Sequence, residues 1–463
     1  MKMTEEAAKK SSSRKKGMNR PEPLQLAYDF SSAPEPVRLF EGTAEVGFGD
    51  DSFSGTADLL LRFLPSPRVV FHASVQGRAG ESRFPLFFYT SDEPSYFLFN
   101  GYKIEGFRGK WSANSDILAL DWHPKSDPVV LCDMQSKTSV AAILHIFNFP
   151  DFQGGQHQAT AAPAGCALLV LESEEWRVSL QSLPNDATCQ AWERIRSEGG
   201  CYLTHVAKLE RKDGKPFSGE EAREQRLLLA NFLSFTKGGR CSTSCEVGFD
   251  AAGKKTWETF ASPYVSNPPY SWFTPFKASQ AEVLFPLFVK RWQQSEEWKD
   301  CLRSAIYWYA QANTNGSSPG IDAAIILAQS ALERLAHHHL VVDRKMISLE
   351  GLDRLKASDR LRLLFSSLNL PVGISAATLD IQKAAPSCKW VDAPHALTDI
   401  RNELVHPASK KQVSDCFIDG WKLSLWYLEL SVLALCGYND TYTSRLTAKY
   451  VTQSERVPWG NAG

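Results

Sequence analysis

Charge of one sign is missing from this 463-residue chain: Lys and Arg number 51 against 52 Asp and Glu, a formal net charge of −1. That balance excludes a molecule-wide electrostatic trap for nucleic acid, so any such contact must come from a local patch. Cysteine is sparse, ten residues over the whole length, which excludes a secreted disulfide scaffold and predicts reduced, mostly buried thiols. An uninterrupted apolar run of membrane-spanning length is also missing. The most hydrophobic stretch, Trp421 to Leu435, carries Lys422 and Glu429 and reads as a core helix. The first twenty residues hold seven Lys/Arg against two Glu without an apolar run, so no secretory signal is read there, and residues 1–22 are expected to be a disordered basic tail. A cytoplasmic location away from membranes follows as the expectation. We find no internal repeat, nucleophile elbow, phosphate-cradling glycine loop or convincing carboxylate pair, and expect no cofactor.

What is present divides the chain in two. With 43% hydrophobic and 22% charged residues it reads as soluble and globular, and the length predicts roughly two to four domains. Residues 23–260 read as β-rich, sandwich-like or a curled sheet, from short runs such as RVVFHASV (Arg68 to Val75), PLFFYT (Pro85 to Thr90) and SVAAILHIF (Ser139 to Phe147). Two helices interrupt them: one near Asp186 to Glu198, the other opened by a capping box of Ser218 and Glu221 and stopped at Gly238-Gly239. Residues 261–279 form a Pro- and aromatic-rich connector, in which Tyr264, Tyr270, Trp272 and Phe273 either stack on a partner or pack between domains. Residues 280–440 read as an all-α bundle, with helices at about Gln280 to Gln311, Pro319 to Leu340, Ala357 to Leu368, Pro394 to Val405 and Gln412 to Leu435. Residues 441–463 read as a C-terminal tail. The fold class is therefore multidomain α+β, β-rich first and helical second.

Within the last short helix, RNELVHP (Arg401 to Pro407) carries the chemistry. Leu397, Ile400 and Leu404 share an apolar stripe, while Arg401, Asn402 and His406 occupy a neighbouring arc of about 140°. Pro407 disfavours the α conformation at His406, so the helix is expected to end there with its imidazole free to swing toward a substrate. A second Arg-to-His pair, Arg334 to His339, sits in ALERLAHHHL, but His337, His338 and His339 diverge by about 100° per residue and cannot share one substrate. That run is expected to be a solvated or half-buried helix end. Cys201, His205, Cys241 and Cys245 formally offer four zinc ligands, although their spacing is unusual and Cys201 to His205 lies in a strand-like run, so no metal is predicted.

RNELVHP together with ALERL on an earlier helix resembles the HEPN superfamily, helical bundles with an Arg, a polar residue and a His in an R-x(4 to 6)-H motif. The likeness covers about Gln280 to Tyr438. A β-rich region ahead of such a bundle is similar to the ApeA-like antiphage proteins. The resemblance implies catalytic roles for Arg401, Asn402 and His406, with Glu333 as the upstream helix acid that positions Arg401. It also implies a metal-independent endoribonuclease that juxtaposes two motifs in a homodimer, restrained by an N-terminal domain that senses a phage-derived trigger.

The residues permit that chemistry. An imidazole ordinarily titrates near neutrality and can take the ribose 2′-hydroxyl proton or protonate the leaving oxygen. A guanidinium can hold the phosphate and stabilise charge on its nonbridging oxygens. Asn402 can orient the phosphate or the imidazole. The competing reading makes Arg401 a surface ion pair with Asp399 or Glu403, and His406 a helix cap. On that reading the protein is a noncatalytic module for dimerisation or for binding RNA or protein. A third reading, a toxin neutralised by a partner enzyme, fits less well with the large β region.

Overall fold

The computed structural model describes residues 21–31, 33–48, 51–76, 94–113, 117–153, 155, 162–163, 165–267, 270–316, 319–406 and 413–460. The expected PLFFYT strand, Pro407 and nearly all of the basic tail lie outside them. Within the described residues the architecture is α+β, with antiparallel sheets up to Phe260 and helices beyond.

The first sheet comprises β1 (Val37–Phe48), β2 (Asp51–Arg62), β3 (Arg68–Gln76), β4 (Tyr96–Phe99), β5 (Tyr102–Lys103), β6 (Gly106–Ala113) and β7 (Ile117–Pro124), in the order β5-β4-β1-β2-β3-β7-β6. The second comprises β8 (Val129–Val130), β9 (Ala141–Phe147), β10 (Leu168–Glu172), β11 (Trp176–Ser182), β12 (Leu203–Arg211), β13 (Ser242–Phe249) and β14 (Lys255–Phe260), in the order β10-β11-β12-β9-β13-β14-β8. Period-two alternation explains why β9 reads as one apolar run. Ala142, Leu144 and Ile146 face the helices, while His145 points the other way, toward Tyr28 and Phe30. The two sheets share a core in which Phe40 meets Phe260 and Phe63 meets Phe147, with ring centroids 6.3 Å apart in both pairs.

The helices are α1 (Ala187–Glu198), α2 (Gly219–Lys237), α3 (Ser279–Trp292), α4 (Glu296–Asn315), α5 (Ile321–His337), α6 (Leu349–Arg354), α7 (Ala357–Ser367), α8 (Leu379–Cys388), α9 (Ala393–Val405) and α10 (Phe417–Leu435). The capping box of Ser218 and Glu221 is present at the start of α2. The single helix expected over 280–311 is two. Ser295 is extended at φ −163° and its hydroxyl accepts the Trp298 N–H at 3.2 Å, which starts α4 afresh.

Three further differences matter. The secondary structure changes at the connector, but the core does not: Phe232 of α2 packs edge-on against Phe285 and Phe288 of α3, so the second sheet and the helices share one apolar interior. The connector aromatics split. Trp272 and Phe273 are buried, with the Trp272 indole N–H donating to the Phe235 carbonyl at 3.0 Å, whereas Tyr264 and Tyr270 are exposed. The segment expected to be a tail instead forms a hairpin of β15 (Thr441–Tyr442) and β16 (Glu455–Arg456), with Tyr442 and Val457 buried.

Candidate active site

Helix α9 is fixed at both ends and along its inner face. Asp392 caps it, its carboxylate accepting the His395 N–H at 2.9 Å, and Pro394 stands in the first turn. The same carboxylate is held from α7 by Arg362, Nε to Oδ2 at 2.6 Å and Nη2 to Oδ1 at 3.0 Å, a bidentate pair that fixes direction as well as distance. Halfway along, Gln329 of α5 donates to the Leu397 carbonyl at 2.5 Å. Leu397 and Ile400 are fully buried, and Ile400 lies against Gly420 of α10, where a Cβ would stand 3.3 Å from its methyl groups. The apolar stripe read from the sequence therefore packs as expected.

The neighbouring arc carries Arg401, Asn402 and His406. The Arg401 guanidinium donates to the Asn402 carboxamide oxygen at 3.2 Å, so these two side chains are in contact. His406 leaves the helix with φ −123° and ψ 99°, the extended conformation that a following proline favours, and its backbone N–H closes the last turn onto the Asn402 carbonyl at 2.9 Å. Its side chain is exposed, and Arg401 and Asn402 are half-buried. Among the described residues no carboxylate pairs with Arg401. Asp399 accepts the Trp390 indole N–H at 2.8 Å and lies 3.6 Å from His395 Nε2, so the surface ion pair considered for Arg401 does not form with it.

Glu333 occupies a different position from the one expected. It faces Arg360 of α7 at 4.0 Å, and among the described residues no ion pair joins it to Arg401. The upstream acid thus steadies α5 against α7 and does not orient the motif's arginine.

The other polar groups singled out in the sequence are dispersed. Cys201 and Cys245 lie in the core between the sheets and Cys241 on the helical side, their thiols pushed up to about 12 by burial. His205 is fully buried, stacks on Phe152 and is pulled down to about 3 by desolvation. Among the described residues no group of three or more His, Cys, Asp or Glu side chains is placed to hold a metal. His338 and His339 are buried in a π-helical turn (His338–Asp343) rather than solvated. His338 stands edge-on to Trp298 at 4.3 Å, and that indole also meets the Arg291 guanidinium.

Sequence reading missed a buried network. Glu429 of α10 accepts from the Tyr309 hydroxyl of α4 at 2.5 Å and from Arg445 at 2.5 and 3.0 Å, with both charged side chains at 2% exposure or less. Arg445 also reaches Asn313, whose amide donates to the carbonyls of Gly238 and Tyr270 at 2.8 and 2.6 Å. The signal present in the sequence is one carboxylate, Glu429, within the otherwise uncharged stretch Leu423 to Leu435 of α10.

Two stretches of this architecture each match a protein-family model. Residues 134–271 match the YopA central domain and residues 295–456 the YopA C-terminal domain, so all of the second sheet except β8 and most of the helical region fall within these models. Over nearly its whole length the chain is similar to the SPbeta prophage-derived uncharacterized protein YopA of Bacillus subtilis (strain 168), 25% identical over 464 residues, spanning 94% of this chain and 97% of the relative. No solved structure matches the chain. No helix among the described residues is long and apolar enough to cross a membrane.

Proposed function

We propose that the protein is a metal-independent endoribonuclease of the HEPN type whose active centre is Arg401, Asn402 and His406. The observation that carries this reading is the state of Arg401: a permanent cation on a helix, touching Asn402, five residues before an exposed imidazole and unpaired with any carboxylate among the described residues. A permanent charge held this way is preorganised for an anion, which is what stabilises a pentavalent phosphate in the transition state.

In the proposed reaction the ribose 2′-oxygen attacks the adjacent phosphorus as a base takes its proton. The 5′-oxygen then leaves with a proton from an acid, so the products carry a 2′,3′-cyclic phosphate and a 5′-hydroxyl. Arg401 holds the nonbridging oxygens, and Asn402 orients Arg401 through its carboxamide. One imidazole cannot serve as acid and base in the same step, so two protomers bring their His406 side chains to one phosphate in a homodimer. The β-rich half restrains this activity until a phage-derived trigger is met. A prophage origin, which the relative's name states, fits a role in conflict between phage and host. The test of the chemistry is end-group analysis of RNA incubated with the protein in EDTA. The reading predicts cyclic phosphate and 5′-hydroxyl ends, and 3′-hydroxyl ends would contradict it.

A further inference from the structure

A cleft of about 940 Å³ opens between α1, the connector, the start of α10 and the segment around residues 443–451, and both matched stretches contribute to its lining. That volume is typical of small-molecule sites. Lys237, the last residue of α2, stands on its wall at 7% exposure. Its ammonium makes only long hydrogen bonds, 3.4 Å to the Arg240 carbonyl and 3.4 Å to the Asn267 side chain, and lies 5.8 Å from the centre of the Trp192 ring. Among the described residues no carboxylate pairs with it. The ionisable groups that act on it are the thiols of Cys241 and Cys201, which burial keeps neutral. A cation withdrawn from water without a counter-charge is unfavourable, and burial pulls this one down to about 8.

The rest of the wall complements Lys237. Arg196, Lys422 and Lys449 add three cations without an ion-pair partner among the described residues, and the lining contains one carboxylate-bearing residue, Asp151. Arg445 at the back is already neutralised by Glu429. Two indoles face the same space and are held by their own N–H groups, Trp192 donating to the Phe149 carbonyl at 2.7 Å and Trp421 to the Ala312 carbonyl at 3.0 Å. The Thr443 hydroxyl on this wall has no hydrogen-bond partner.

We propose that this cleft binds a free nucleotide, its phosphates neutralising Lys237 and the cationic rim and its base lying against the fixed indoles. This site is separate from the Arg401 centre, and its test does not depend on RNA cleavage. Calorimetric titration of the full chain with each of the four ribonucleoside triphosphates, and with inorganic triphosphate, should find at least one nucleotide bound at least about tenfold more tightly than triphosphate. Lys237→Met should weaken that binding by at least about tenfold while leaving the melting temperature unchanged or raised, because it removes an uncompensated buried charge. The exposed double variant Arg196→Glu/Lys449→Glu should also weaken binding, without touching the core. The proposal is overturned if no nucleotide binds at concentrations of about 1 mM, if triphosphate binds as tightly as any nucleotide, or if both variants bind as the parent does.

Discussion

Arg445 and Arg401 lie in the same helical half, yet their guanidiniums meet opposite surroundings. Arg445 is sealed from solvent and paired at 2.5 and 3.0 Å with a carboxylate that also accepts a tyrosine hydroxyl. Arg401 is half-exposed, touches one neutral amide and precedes an exposed imidazole by five residues. A buried charge must be compensated where it lies, so the first cluster explains itself as a bolt between α4, α10, the C-terminal hairpin and, through Asn313, the loop after α2. The second cluster is half-buried to exposed and needs no such compensation. Among the described residues neither Arg401 nor His406 meets a carboxylate, which supports the proposed anion site.

That contrast can be broken by experiment, beginning with the largest effect. Glu429→Ala should cost about 3–5 kcal/mol in urea unfolding, because it leaves Arg445 buried without its counter-charge. A loss under about 1 kcal/mol would make the cluster no bolt at all.

Acid should act next, through His145. Its Nδ1 donates to the Cys245 carbonyl at 2.9 Å and its Nε2 accepts the Ala27 N–H at 3.2 Å, which fixes a neutral ring, and burial pulls it from 6.5 down to about 4. Between those values the unfolded chain binds a proton that the folded chain does not, so stability is full above 6.5 and is lost as the pH falls toward 4. The loss amounts to about 3 kcal/mol at the acid limit. Buried His205 acts in the same direction. Melting temperatures measured at about pH 7 and about pH 5 should show the fall before most carboxylates titrate, and a flat profile would contradict it.

The smallest effect belongs to the exposed cluster. Arg401→Ala and His406→Ala should each change unfolding free energy by no more than about 0.5 kcal/mol, as befits solvent-facing groups without an ion-pair partner among the described residues. A loss as large as that at Glu429 would make Arg401 a structural residue and erase the contrast.

The two clusters also differ in how legible they are in the sequence. The signals that start, face and end α9 are local: the Asp392 cap, the apolar stripe of Leu397, Ile400 and Leu404 and the proline after His406. Spacing alone therefore places the motif at a helix end. It misplaces Glu333, because the partner of that acid, Arg360, lies on a different helix and spacing along one helix cannot choose between two arginines. Arg445 is invisible to it, since the residue sits in a segment whose polar texture reads as a tail and its value depends on a carboxylate sixteen residues earlier. The β region is legible as strands, but not as two sheets of which the second shares its core with the helices, since layering is decided by contacts far apart in the chain.

The central claim is that Arg401 and His406 cleave RNA without a metal. The direct measurement incubates RNA in EDTA with the parent protein, Arg401→Ala or His406→Ala, each with and without extract from phage-infected cells. The account predicts cleavage by the parent and intact RNA with both variants. It is contradicted if the parent leaves RNA as intact as the variants do even in the infected extract, or if both variants cleave as the parent does.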